Sequence, residues 1–166
     1  GGYHWERLFA GMKALSFIVP GGWDARFFEN EVERVVSRNN LQELCRVRLQ
    51  VFAGGGGLFG AESNRPGFVI ECFSLEPETL NMNENGLHVG CSSGLRKSVD
   101  QLSNLKTCNA LIYAIAARQA RDHKWNDALI INTNGHIIES TIANLFWIRD
   151  GVVFTPPLSE GCVAGV

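Results

Sequence analysis

No apolar run in this 166-residue chain approaches the roughly 18 residues needed to cross a bilayer, so no membrane-spanning segment is expected. Nor is there a dense basic run. Fifteen Lys and Arg stand against 17 Asp and Glu, for a net charge of -2, which argues against a nucleic-acid module with a basic face. The five cysteines (Cys45, Cys72, Cys91, Cys108 and Cys162) are scattered, odd in number and form no C-x-x-C pair. A disulfide framework or zinc site is not expected, and a reducing cytoplasm fits best. The four histidines show no H-E-x-x-H spacing, so no metal site is predicted. The first residues, Gly1 to Arg7, lack the charged-then-apolar layout of a signal peptide. There is no internal repeat, and no low-complexity tract beyond Gly54–Gly57.

What is present is an ordinary globular composition, 45% hydrophobic and 19% charged. Trp5, Leu8, Phe9, Met12, Leu15 and Phe17 recur mostly three or four apart, predicting a helix over 3–17 that Pro20-Gly21-Gly22 ends. A second helix is predicted from Asp24, a capping residue, to Arg38, with Phe27, Phe28, Val32, Val35 and Val36 as its stripe. The period then changes. Residues 45–51 alternate as a half-buried strand and residues 68–73 form a second, more apolar strand. A short strand is expected around 87–91, and an alanine-rich helix over 107–123. Four strand-like runs follow, at 128–132, 136–139, 144–148 and 152–155, with Asn134-Gly135 and Asp150-Gly151 as hairpin turns. Helices beside antiparallel hairpins read as α+β. The glycine loop at 54–66 is the natural boundary, giving domains 1–60 and 61–166. The four glycines lack the Gly-Lys-Ser/Thr of a P-loop and read as a flexible turn between domains.

Two residues carry possible chemistry. Of only four lysines, Lys106 lies at the mouth of the predicted alanine-rich helix. There, desolvation and the helix dipole would both disfavour the ammonium, and a neutral amine is the form a covalent lysine needs. By position alone the solvated lysine is the favoured reading. Glu139 sits between apolar runs, and a buried carboxylate requires a partner, either an arginine or a cofactor cation, or else a structural salt bridge. Glu71 has the same look without an evident role.

Together the pieces are more specific. Leu105-Lys106-Thr107-Cys108-Asn109, then Asp127-Ala128-Leu129-Ile130, Gly135-His136-Ile137-Ile138-Glu139, Asn144-Leu145-Phe146, Thr155-Pro156-Pro157-Leu158 and Gly165-Val166 stand in one order. That set resembles the class-IV aminotransferase family, the pyridoxal 5'-phosphate enzymes of fold type IV. Members include branched-chain and D-amino-acid aminotransferases and aminodeoxychorismate lyases. His4-Trp5-Glu6-Arg7-Leu8 resembles the family's His-x-x-Arg-Leu signature. The resemblance implies a small α/β N-terminal domain, a larger antiparallel-sheet domain, and a homodimer acting on an amino acid or keto acid, a small-molecule substrate. It implies that Lys106 forms the Schiff base with the cofactor and carries the substrate's α-proton. Glu139 would pair with the pyridinium nitrogen, Arg7 would clamp the phosphate, and Ile142 and Val166 would offer it backbone N–H groups. The family continues beyond both ends of this chain, so an internal piece of a longer enzyme is expected, with both domains partial.

Three readings stay open. An aminotransferase is favoured, because Leu58-Phe59-Gly60 stands where the lyase usually carries a substrate arginine. A lyase eliminating pyruvate is the alternative, supported by the Lys-x-x-Asn spacing at Lys106 and by Ala143-Asn144-Leu145-Phe146-Trp147. The third is an inactive fragment that keeps only the fold.

Overall fold

The computed structural model describes residues 2–41, 44–55 and 64–166. They form two compact units, Gly1–Met82 and Asn83–Val166.

The first unit opens with α1 (Gly2–Ala14) and α2 (Ala25–Arg38). Asp24 caps α2 as its residue type predicts, its carboxylate accepting from Phe27 N at 2.7 Å. The stripe of α2 buries Phe28 completely. Around it gather Trp5, Phe9, Trp23, Phe27 and Phe68, with ring centroids 5.2–6.1 Å from that of Phe28. Strands β1 (Cys45–Ala53) and β2 (Pro66–Ser74) pair antiparallel from Cys45↔Ser74 to Ala53↔Pro66. The glycine-rich segment therefore links the two strands of one hairpin inside the first unit, where the sequence suggests a boundary between domains. Gly56 to Gly60, including the Leu58-Phe59 position weighed above, lie outside the described residues. Glu71 has a plain role: it faces Arg48 across the ladder, and its Oε2 accepts from Arg48 Nε at 2.7 Å.

The second unit holds β3 (Val89–Cys91), α3 (Leu111–Asp122), β4 (Asp127–Ile131), β5 (Ile137–Ser140), β6 (Trp147–Arg149) and β7 (Val152–Phe154). The sheet order is β3-β4-β5, with β6 and β7 paired separately. The expected four-run meander is thus split between two sheets. One pairing is parallel, β3 with β4, because the chain between them crosses over through α3, the connection a parallel pair requires. Asp150 and Gly151, at φ 51° and 76°, make the turn between β6 and β7, the left-handed pair that a two-residue hairpin favours.

The core of this unit is Ala116 and Ala120 of α3 against Ala128 and Ile130 of β4, with Ile138 and Cys162. Small alanines let α3 lie close to the sheet. Gly90 serves the same closeness, since a Cβ there would come within 2.4 Å of the Trp125 indole. Gly90→Ala is therefore expected to destabilise the second unit by about 1–3 kcal/mol through overpacking. Urea unfolding followed by tryptophan fluorescence measures it; an unchanged midpoint would show that the indole moves aside freely.

α3 begins later than its alanine content predicts, at Leu111 rather than 107. Thr107 Oγ1 takes the N–H of Asn109 at 3.3 Å, and Ala110 N–H bonds back to Cys108 O at 2.8 Å. A hydroxyl that serves its own backbone neighbours competes with the helix, so the first helical turn starts beyond it.

Candidate functional site

Glu139 lies on β5 opposite Ile130 of the central strand and is only 3% exposed. Its carboxylate is met by three donors. Oε1 accepts from Lys97 Nζ at 2.6 Å and from Tyr113 OH at 2.8 Å. Oε2 accepts from the backbone N–H of Val163 at 2.8 Å. Glu139 is therefore in a buried salt bridge, one of the readings the sequence offers, with a lysine as the partner in place of an arginine. A carboxylate offers about four lone-pair positions; the described residues use three, which leaves one on Oε2 for a further N–H donor.

Different elements deliver these groups. Lys97 is held beside β4 in a parallel bridge with Asn132; its N–H donates to Ile131 O at 2.9 Å and its carbonyl accepts from Thr133 N at 3.0 Å. Its side chain is buried, with the ammonium 5.4 Å from the centroid of the Tyr113 ring. Tyr113 comes from the first turn of α3. Burial first, then the hydrogen bond to Glu139 and that residue's charge, raise the phenol well above its ordinary range, so it stays protonated and donates to Glu139. Burial, then the charge of Glu139, likewise push up the Cys162 thiol, with Lys97 opposing.

Val163 belongs to a segment tied down on both sides. Asn104 Nδ2 donates to Leu158 O and Cys162 O at 2.8 and 2.6 Å, and its carbonyl accepts from Ala164 N at 3.0 Å. Asn144 Nδ2 donates to Val163 O at 2.9 Å. Gly165 lies so close that a Cβ there would meet the Asn144 amide. One network thus joins the stretch before Lys106, the end of β5 and residues 162–165.

The other predicted residues lie as follows. Lys106 is two residues beyond Asn104, and its side chain is exposed. It precedes the first residue of α3 by five positions, so it does not stand at the helix mouth where the sequence places it. Ile142 is exposed in the turn after β5, its N–H a long 3.4 Å from Ser140 Oγ. Val166 is exposed beside the Asn144-held segment. Arg7 belongs to α1 in the first unit, its guanidinium 3.4 Å from His4 Nδ1. Lys97, Tyr113, Asn104 and the N–H of Val163 have no signal in the sequence beyond the need of Glu139 for partners. Among the described residues no cluster of three His, Cys, Asp or Glu could hold a metal, and no helix is long and apolar enough to cross a membrane.

Three carboxyls of this unit are held below their ordinary range. At Asp127 burial opposes the shift, but hydrogen bonds from the Thr141 and Ser140 hydroxyls and from backbone N–H groups outweigh it. His136 and Asn132 act on Glu160, and Ser98 and the Leu102 N–H on Asp100. A folded-state value below the unfolded one adds stability above the unfolded value, lost as pH falls through the folded one. Stability is therefore expected to hold down to about pH 5 and to fall steeply below about pH 4. Denaturant unfolding between pH 7 and pH 2 measures this; a flat profile through pH 3 contradicts it.

The profile of the class-IV amino-transferases matches residues 2–166. The chain belongs to the class-IV aminotransferase family. An aminodeoxychorismate lyase of Vibrio harveyi is 28% identical over 165 residues, covering 98% of this chain and 59% of that protein. A branched-chain-amino-acid aminotransferase of Pseudomonas aeruginosa is 27% identical over 170 residues, covering 98% and 53%. Among solved structures, the branched-chain aminotransferase of Escherichia coli superposes with a TM-score of 0.81 at 25% identity, covering 99% of this chain and 53% of that one. The PLP form of the Thermobaculum terrenum enzyme shares the fold, with a TM-score of 0.82 at 20% identity, over 98% and 53%. These neighbours are fold type IV PLP enzymes, and this class-IV chain has their α+β architecture. It spans a little over half the length of the relatives it matches.

Proposed function

We propose that the chain is the portion of a pyridoxal-phosphate-dependent aminotransferase that holds the cofactor and acts on an amino acid through Lys106. The observation that carries this, in a class-IV chain, is the caged Glu139 carboxylate with one lone pair left on Oε2. A protonated ring nitrogen is the donor that fits it, so the residues suit the cofactor. Bound pyridoxal phosphate supplies an electron sink for charge developing at the substrate's α-carbon. Glu139 Oε2 would accept from the ring nitrogen and favour its protonated form. Lys106 Nζ, accessible at the surface of the second unit, would hold the cofactor covalently and carry the α-proton. The N–H groups of Ile142 and Val166 would bind the phosphate.

The reading is tested by incubating the 166-residue chain with pyridoxal phosphate, reducing with borohydride and mapping the product by mass. One pyridoxyl-phosphate group on Lys106 is expected. An unmodified chain, or a group confined to Lys13, Lys97 or Lys124, would sink it. The second reading is the lyase, favoured by the Lys106-Thr107-Cys108-Asn109 spacing and by the Vibrio harveyi relative. Pyruvate released from aminodeoxychorismate without an amino acceptor would select it. The same family reading makes the protein a homodimer, which light scattering tests. The scattered cysteines, which form no C-x-x-C pair, are the ground for proposing a reducing compartment such as the cytoplasm.

A further inference from the structure

Lys97 is the buried cation that the reading above leaves without a task. It cannot be the covalent lysine. The carbonyl of the cofactor and its ring nitrogen lie on opposite sides of the ring. One side chain cannot touch Glu139 and also sit across a ring that Glu139 holds. Its ammonium contacts Oε1, while Val163 N–H and the spare lone pair are on Oε2. We propose that Lys97 is a positioning residue, the resident counter-ion that keeps Glu139 ionised and turned so that Oε2 presents its free lone pair to the cofactor nitrogen. The bearing on the cofactor rests on the proposed function; the action on Glu139 does not, and it can be read in the cofactor-free chain.

The groups facing the Glu139 carboxylate are few. Tyr113 from α3 is a neutral donor, Cys162 is a thiol, and Lys97 is the one cation in hydrogen-bond contact among the described residues. Without Lys97 the charge of Glu139 would face only neutral donors inside the protein. Desolvation would then favour the protonated carboxyl. A protonated Glu139 would put a hydrogen where the ring nitrogen's own hydrogen belongs, and would cost the site its acceptor.

The test is carbon-13 NMR of glutamate-labelled, cofactor-free full chain, following the Glu139 carboxyl carbon against pH in the wild type, Lys97→Met and Lys97→Arg. Glu139→Gln assigns the resonance. In Lys97→Met the titration midpoint is expected at least about 1 pH unit above that of the wild type, with Lys97→Arg returning it most of the way. Equal midpoints in wild type and Lys97→Met would overturn the proposal, since a lysine that merely fills space moves nothing in that signal. Should Lys97→Met fail to fold, Lys97→Met/Glu139→Gln decides. Removing both charges is expected to restore folding, and a double variant as unfolded as the single one overturns the proposal. The borohydride experiment on the same wild-type preparation reports separately on Lys106. No adduct together with a shifted Glu139 midpoint would sink the cofactor reading and leave the role of Lys97 standing.

Discussion

Lys106→Ala is expected to abolish the borohydride-trapped adduct and to lower amino transfer by at least about 10²–10⁴-fold, the usual worth of a positioned proton-transfer group. The loss should be larger still, because the same amine is asked to hold the cofactor. Stability should hardly change. The side chain is exposed and precedes α3 by five residues, and surface substitutions of that kind usually stay within about 0.5 kcal/mol. The two measurements together are decisive. An adduct that survives in Lys106→Ala would move the covalent role to another lysine. A variant that unfolds would make Lys106 a structural residue. Lys106→Arg sharpens the comparison, since it keeps the charge but lacks a titratable amine.

Local elements were legible because local physics makes them. The 3.6-residue stripe of α2 and its Asp24 cap, the existence of strand β1, and the Asp150-Gly151 turn each follow from neighbours in sequence, although burial along β1 does not alternate as its sequence does. Glu139 was legible as a burial problem, since a carboxylate among Ile137, Ile138 and Ile142 must be compensated. Its solution was not. Lys97 is 42 residues away, follows Arg96 in a polar stretch, and is buried only because the chain crosses beside β4 at Asn132. Nothing in a one-dimensional pattern separates it from Lys124. The late start of α3 was hidden for another reason. Alanine content reports the propensity of a segment and not its edge, and here Thr107 decides the edge with one hydroxyl. The parallel pairing of β3 was hidden because Val89–Cys91 is three residues long, too short for alternation to speak. The glycine run misleads as a boundary for a related reason: glycine marks permissive backbone, and a long hairpin connection uses that as readily as a linker does.

Glu139→Ala should be the most damaging single change to stability. It leaves Lys97, 8% exposed, with its ammonium beside the Tyr113 ring and without its anion. Removing one member of a buried pair costs about 3–5 kcal/mol, well beyond the small net worth of the intact pair. For a unit of this size that corresponds to a fall in Tm of at least about 10 °C. Tyr113 OH and Val163 N–H lose their acceptor in the same substitution, and each unmet buried donor adds to the cost. The sign of the pH dependence identifies the cause. In the variant the unfolded chain solvates the ammonium and the folded chain does not, so unfolding takes up protons. Stability relative to wild type must then rise with pH. A deficit that shrinks between pH 7 and pH 10 marks the stranded charge, whereas a deficit constant across that range marks a cavity alone. Glu139→Gln separates the terms further. Its amide oxygen can still accept from Lys97 and Tyr113, so it should recover part of the lost stability. It offers no negative charge to a ring nitrogen, and amino transfer should fall as severely as in Glu139→Ala. A Glu139→Gln protein that is both stable and fully active would show that the carboxylate serves the fold and not the cofactor.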